Sequence, residues 1–345
     1  MSVVTIRDIA RALNIDPSTV SSCLSGKAAK RRISPERIEE VRRKAAEMGY
    51  IPNKLASRIF RRNSKKYLGL VVRNDTANSR VFPVLDYLMR ELALRDDCDF
   101  SVLYAPEDDL GEAVRNGIGL GIRDFIIIGY VRGADLETIG FEQLPEISVY
   151  AADYCFGEGE KELPAVVSRI GFDRTAYYRE LCGFLNSAGY GPVNVVQGYE
   201  SGEVFQREPD RIYYLFEHIK DLFAFGAEHL APQVEERVRA GACRTLLLRN
   251  DSLAIGVMET LLAHGIRIPE DVAVIGFNNA PFSAYAKVPL TTIAPPVLEG
   301  VKLLLKGILE QEELPKELRI APTLNLRASV PDWNWEGFGF PVKKS

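Results

Sequence analysis

Thr5-Ile6-Arg7-Asp8-Ile9-Ala10, followed by Pro17-Ser18-Thr19-Val20-Ser21, is the stretch from which the fold of this chain is read. Thr5 with Asp8 three positions on has the pattern of a capping box, in which a hydroxyl and a carboxylate satisfy the orphan amides of a helix start. Ile6, Ile9, Ala10 and Leu13 follow at i, i+3, i+4 and i+7, one apolar face of a short helix. Asn14-Ile15-Asp16 reads as a turn, with Asp16 as N-cap and Pro17 at the first helical position, where its missing N–H costs nothing. Val20, Cys23 and Leu24 are then expected to face inward, with Ser18, Thr19, Ser21 and Ser22 on the open side. A third helix is expected from Ser34-Pro35-Glu36, with Ile38, Val41, Ala45 and Met48 inward and a stop at Gly49. Two short helices across a tight turn, with a third as buttress, is helix-turn-helix geometry.

Charge separates this head from the rest. Residues 1–66 hold 16 Lys/Arg against 6 Asp/Glu, and residues 67–345 hold 27 against 41, so a net charge of -4 hides a basic head on an acidic body. That asymmetry suits a protein with one end that meets polyphosphate and another that must not adhere to it; a solvated basic helix cluster has the same count. No signal peptide or membrane span is expected, because Met1-Ser2-Val3-Val4 runs into a polar helix and no apolar run approaches about 20 residues. The five cysteines, at 23, 98, 155, 182 and 243, lack a CxxC spacing and read as reduced thiols of a cytoplasmic protein. With His218, His229 and His264 scattered, no metal site or other cofactor is expected.

From Tyr67 onward, short Val/Ile/Leu-rich runs alternate with helical patterns. Strands are expected at Leu68–Val72, Val102–Tyr104, Phe125–Ile128, Ile147–Tyr150, Val193–Val196, Leu246–Leu248 and Val272–Ile275. Helices are expected at Val84–Leu94, Ala176–Asn186, Leu253–His264 and Val297–Leu309. This is an α/β, doubly wound pattern, in which ligands bind beyond the carboxyl ends of the strands.

The ordered set Thr5–Ala10, Ser18-Thr19-Val20-Ser21, Ser34-Pro35-Glu36 and Gly49-Tyr50-Ile51-Pro52-Asn53-Lys54-Leu55-Ala56 resembles the lactose-repressor/galactose-repressor (LacI/GalR) family of bacterial transcription regulators. Asn250-Asp251-Ser252, Ile268-Pro269-Glu270-Asp271-Val272 through Phe277, and Pro289-Leu290-Thr291-Thr292-Ile293 extend the resemblance through the second half. It implies a core similar to periplasmic binding proteins: two subdomains, about 67–170 plus 293–321 and about 171–292 plus 322–336, closing on a small molecule. The implied organisation is a DNA-binding head at 1–49, a hinge helix and linker at 50–66, and an effector-binding core at 67–340.

The resemblance also nominates residues. In the head these are Thr5, Pro17, Ser18, Thr19, Ser21 and Ser22. In the hinge Asn53 would cap a helix that carries Ala56, and Ile59 would stand where the family has a leucine wedged into the minor groove; a packing residue in a linker is the competing role. The family's arginine after Thr-Val-Ser is replaced by Ser22, so its base code does not transfer. The basic run with Lys30, Arg31 and Arg32 either meets phosphate or is a solvated loop. For the effector the nominees are Asn74, Asp173, Arg211, Asn250 and Asn278. Arg211 is equally a surface arginine on a helix, Asp173 a helix cap, and Asn250 part of a helix start with Asp251 or Ser252 as its cap. Asn278 replaces a common aspartate and Arg174 a common asparagine, which weakens a simple sugar assignment.

The reading is a cytoplasmic, dimeric, sequence-specific transcription regulator, acting as a repressor, that associates with the nucleoid when bound to a pseudo-palindromic operator. A small-molecule effector, a sugar or related metabolite, controls it. The alternative is a solute-binding protein of the periplasmic type without DNA function, which would have no use for the head. An enzyme is not expected: no Gly-rich phosphate loop, nucleophile elbow or metal cluster is visible, and no catalytic residue is nominated. The tail Pro331-Asp332-Trp333-Asn334-Trp335-Glu336-Gly337-Phe338-Gly339-Phe340 has no leucine heptad, so its aromatics are expected to dock on the core and a dimer is favoured over a tetramer.

Overall fold

A computed structural model of the chain describes residues 4–24, 33–50, 65–73, 81–105, 109–144, 146–156, 163–164, 166–199, 210–215, 219, 221–312 and 314–344. It divides into two compact units, Met1–Ser64 and Lys65–Ser345.

In the first unit, α1 (Ile6–Leu13), α2 (Pro17–Leu24) and α3 (Pro35–Glu47) enclose a small core of Ile9, Ala10, Val20, Cys23, Val41 and Ala45. The caps are local chemistry. Thr5 N donates to Asp8 Oδ2 at 2.9 Å and Asp8 N to Thr5 Oγ1 at 3.4 Å, closing the box. Asp16 Oδ1 accepts from Ser18 N at 2.7 Å, and Ser34 Oγ accepts from Arg37 N at 3.3 Å. Asn14 at φ 50° turns the chain out of α1, and Gly49 at φ 68° turns it out of α3; both conformations are strained for residues other than Gly, Asn or Asp.

The second unit holds two sheets. The first takes the order β11-β5-β4-β3-β1-β2 and is parallel throughout: β1 (Lys66–Arg73), β2 (Cys98–Ala105), β3 (Asp124–Ile128), β4 (Ser148–Phe156), β5 (Val167–Asp173) and β11 (Glu317–Arg319). The second takes the order β13-β12-β10-β9-β8-β6-β7: β6 (Val193–Tyr199), β7 (Arg211–Leu215), β8 (Thr245–Leu248), β9 (Ala273–Phe277), β10 (Thr291–Ala294), β12 (Thr323–Leu326) and β13 (Val342–Lys344). Its pairs are parallel except β10 with β12. Helices α4 (Val81–Ala93), α5 (Leu110–Gly119) and the short α6 (Gly133–Glu137) accompany the first sheet. The second has α7 (Arg174–Ser187), α8 (Leu222–Phe225) continued through a π-helical turn into α9 (Ala231–Arg239), and α10 (Asp251–Ala263).

Three crossings join the sheets. The chain leaves β5 into α7, whose Tyr177, Tyr178, Leu181 and Leu185 pack with Val193 and Val195 of the second sheet. It returns from β10 through α11 (Val297–Glu310), whose Val301, Leu304 and Ile308 pack with Leu68 and Ile170 of the first. It crosses again between β11 and β12.

The strands read as uninterrupted apolar runs are present, mostly a residue or more longer than expected. Two others carry charge at their first or third residue. Arg169, only 8% exposed in β5, ion-pairs with Glu317 and donates to Tyr154 Oη at 3.2 Å. Beside it, a Cβ at Gly171 would collide with the carbonyl of Tyr154, where β4 shifts register between Ala151 and Tyr154. Gly171→Ala is therefore expected to lower stability by about 2 kcal/mol through forced backbone movement. Gly183→Ala, at an exposed helical site with nothing within 4 Å, is expected to stabilise slightly. Urea unfolding of the two variants checks the contrast.

The tail docks. Trp333 stacks on Tyr190 with ring centroids 4.3 Å apart, Trp335 on Phe184 at 5.5 Å, and Phe340 meets Tyr177 edge-on at 4.5 Å. Among the described residues, no helix is long and apolar enough to cross a membrane, and no group of three or more His, Cys, Asp or Glu could hold a metal ion.

Candidate functional site: a helix face and a cleft

On the head, α2 presents Pro17, Ser18 and Ser21 to solvent and Thr19 half-exposed, a row of small hydroxyls. Ser22 departs from expectation. Its Oγ donates to the Ser18 carbonyl at 2.7 Å, and the residue is 5% exposed. A serine bonded back to the carbonyl four residues earlier lies against its own helix, so Ser22 is withdrawn from the open face. Thr5 is exposed, with its hydroxyl donating to Asp8 Oδ2 at 2.6 Å. Lys30, Arg31, Arg32, Asn53, Ala56 and Ile59 lie outside the described residues, as does Asn74 of the effector set.

In the core, the carboxyl ends of β3, β5, β8 and β9 converge between the sheets. Arg174, the first residue of α7, joins the two sides: its guanidinium carbon lies 4.5 Å from the ring centroid of Tyr130, just after β3, and 4.7 Å from that of Phe277, the last residue of β9. Arg249, just after β8, belongs to the same region. Burial pushes Tyr130 up to about 12 and Tyr214 likewise to about 12, and pushes Tyr178 up further; Arg174 and Arg249 oppose the rise at all three phenols. The wall beyond Tyr130 is fixed by buried Arg73, which donates to the Tyr130 carbonyl and, at 3.1 Å, to Asp135 Oδ2. Burial would raise the Asp135 carboxyl, but Arg132 and Arg73 together hold it below the usual range.

Asp173 Oδ1 accepts from Ala176 N at 2.8 Å and caps α7. Asn250 is itself the cap of α10, its Oδ1 accepting from Ser252 N at 2.8 Å and Leu253 N at 3.3 Å. Asp251, expected as a possible cap, instead turns into the core. Asn278 follows Phe277 at φ 110°, is 9% exposed, and its Oδ1 is buried with no hydrogen-bond partner among the described residues. Asp251, next to Asn250, accepts from Ala280 N and from Thr292 Oγ1, both at 2.7 Å, and so ties the start of α10 to the turn after β9.

Arg211 is not on a helix. It opens edge strand β7, donates to Gln197 Oε1 at 3.1 Å, and its charge falls beside Cys182 of α7. The structure therefore places Asp173 as the cap of α7, Asn250 as the cap of α10 and Asn278 in the turn after β9, places Arg211 at the start of β7, and adds Tyr130 and Arg174 between the sheets. Arg174 had one local signal: a cation in the first turn of a helix opposes the macrodipole, and a broken local rule marks a functional place.

The family described as "Periplasmic binding protein-like domain" matches residues 205–330. The chain is 27% identical, over 96% of its own length and 100% of the relative's, to the HTH-type transcriptional repressor PurR of Vibrio atlanticus. It is 23% identical to the ribose operon repressor of Haemophilus influenzae, over 95% of this chain and 99% of that one. In structure it is similar to the lac repressor dimer bound to operator and the anti-inducer ONPF, with a TM-score of 0.68 at 18% identity, covering 95% of this chain and 99% of that one. A two-sheet core with three crossings has the fold of the lac repressor, and over nearly its whole length the chain is similar in sequence to transcriptional repressors.

Proposed function

We propose that the protein is a cytoplasmic repressor that binds a pseudo-palindromic operator as a homodimer and changes its DNA affinity when a small polar effector enters the core cleft. The observation that carries this is the pairing of an open hydroxyl face on α2 with a two-lobed core whose cleft residues come from both sheets. In this reading 1–49 is the DNA-binding head, 50–66 the hinge and 67–340 the effector-binding core. Ser18, Thr19 and Ser21 face the major groove with Pro17 and Thr5 at its edge. Lys30, Arg31 and Arg32 meet phosphate, Asn53 and Ala56 form the hinge, and Ile59 wedges into a central base step. Asp173, Asn250 and Asn278 are the effector contacts of the three walls. An effector that prefers one arrangement of the lobes shifts the spacing of the two heads by its differential affinity for the two states. Bound to operator, the protein is on the nucleoid.

In vitro selection of genomic fragments with the full chain is expected to enrich a two-fold-symmetric site, whose affinity falls steeply with salt because each neutralised phosphate contributes a slope of about -0.9. Ile59→Gly is expected to weaken that site by about 10- to 100-fold, with non-specific binding unchanged, since an unstacking wedge is worth a few kcal/mol. Enrichment of no fragment, or equal binding by Ile59→Gly, would remove the operator or the wedge respectively.

A further inference from the structure

The cleft holds more positive charge than its structural bonds use. Among the described residues, Arg174 makes no hydrogen bond or ion pair, and its Nε is buried without a partner. Asp153 is near enough to favour the charge but not to pair with it. Arg249 likewise has no hydrogen bond or ion pair among the described residues and lies around the same tyrosines. Two further groups are buried and unpartnered beside them: the Tyr178 hydroxyl, on a residue 7% exposed, and Asn278 Oδ1, on a residue 9% exposed. A guanidinium held over the rings of Tyr130 and Phe277 is attracted by both faces, and without a protein acceptor its N–H groups stay available to donate. An unsatisfied buried donor or acceptor is costly unless something completes it.

We infer that the effector is a small hydroxylated anion, a polyol chain bearing one carboxylate or phosphate, whose charged group is received by Arg174 with Arg249 and whose hydroxyl groups meet Asn278 Oδ1 and the Tyr178 hydroxyl. The position of Asn278 completes the argument. A carboxylate there, directly after Phe277, would add a buried negative charge to this end of the cleft and so oppose an anion. The amide keeps an acceptor for a ligand hydroxyl and adds no charge. The inference rests on the reading of this cleft as an effector site, and it narrows the ligand class.

The test is calorimetry and thermal shift on the full-length protein. The probes are a panel of six-carbon aldonates, uronates and hexose 6-phosphates, each beside the uncharged hexose of the same stereochemistry. At least one anion is expected to bind at least about 30-fold tighter than its neutral counterpart, as a charge-assisted contact supplies. Aldonate or uronate against phosphate separates the two forms of the charge. Arg174→Gln is expected to lose that preference, and Arg174→Lys to recover part of it. Asn278→Asp, which keeps a residue tolerant of positive φ, is expected to weaken the anion by 10-fold or more, by about the same charge logic, while leaving unliganded melting near wild type. Equal binding of anion and neutral hexose, no response to any anion of the panel, or an unchanged preference in both Arg174→Gln and Asn278→Asp overturns the inference. Operator release by a neutral hexose alone would overturn it while leaving the repressor reading intact; failure to select any operator would strike that reading instead.

Discussion

Asp251→Ala is expected to cost the core about 3 kcal/mol, because it leaves the Ala280 N–H and the Thr292 hydroxyl buried and unpaired. The carboxylate is 1% exposed and lies so close to Gly276 that any side chain there would displace it. Burial pushes Asp251 up to about 7, against the pull of its bonds to Thr292 and Ala280; an unfolded aspartate titrates near 3.9. Below about pH 4 both states hold the proton, and between there and about 7 only the folded chain does. Its stabilising contribution is thus full at low pH and is lost as pH rises through the folded value. Relative to Asp251→Asn, which has no proton to lose, wild type is expected to forfeit about 2–3 kcal/mol between pH 5 and pH 8, at about 1.36 kcal/mol per pKa unit. Urea unfolding of the full chain across that range is the measurement, and parallel pH slopes for the two proteins would refute it. Because Asp251 ties the Asn250 cap to the Asn278 turn, the Ala variant is also expected to bind effector more weakly.

A chain ended after Val330 is expected to yield no soluble core. The four tail aromatics, Trp333, Trp335, Phe338 and Phe340, pack against Tyr177, Phe184 and Tyr190, and β13 extends the sheet beside β12. Aromatic side chains bury about 150–250 Å² each, worth about 25 cal/mol per Å². Even partly buried, four of them contribute on the order of 10 kcal/mol, comparable to the whole stability of an ordinary domain. Phe338→Ala alone, at a site 9% exposed, is expected to cost about 3 kcal/mol. Both tryptophans of the chain lie in this tail, so intrinsic fluorescence reports on docking directly. A truncated chain with a normal unfolding midpoint would show that the tail is ornamental.

The head was legible because its signals are local. A hydroxyl at Thr5 or Ser34, a proline at position 17 or 35 and a glycine at 49 act on amides within a turn of themselves. Uninterrupted apolar runs such as Phe125–Ile128 were legible for the same reason: burial on both faces leaves a strand no polar positions. β5 and β7 escaped because each carries an arginine whose partner lies outside its own strand: Arg169 ion-pairs with Glu317, and Arg211 donates to the amide oxygen of Gln197. The withdrawn hydroxyl of Ser22 was misjudged because helical phase fixes a direction but not whether a small side chain folds back on its helix. The cleft escaped most of all. Arg174 becomes a receptor only between Tyr130 and Phe277, and that proximity is created by the crossings, not by spacing along the chain.

Those crossings also govern how the protein can be made. The first sheet receives edge strand β11 and covering helix α11 only near residue 319, and the second is closed by β12 and β13 after it. Neither lobe is complete in a nascent chain until nearly all of it has left the ribosome, whereas the head, with contiguous elements, is ready at once. The part of the first-sheet face around Ala152 and Ile170, which α11 covers, stays open until late in synthesis. A premature stop anywhere in the core therefore releases a folded head on an unfinished, aggregation-prone body: truncation yields material for proteases and chaperones in place of a shorter working protein.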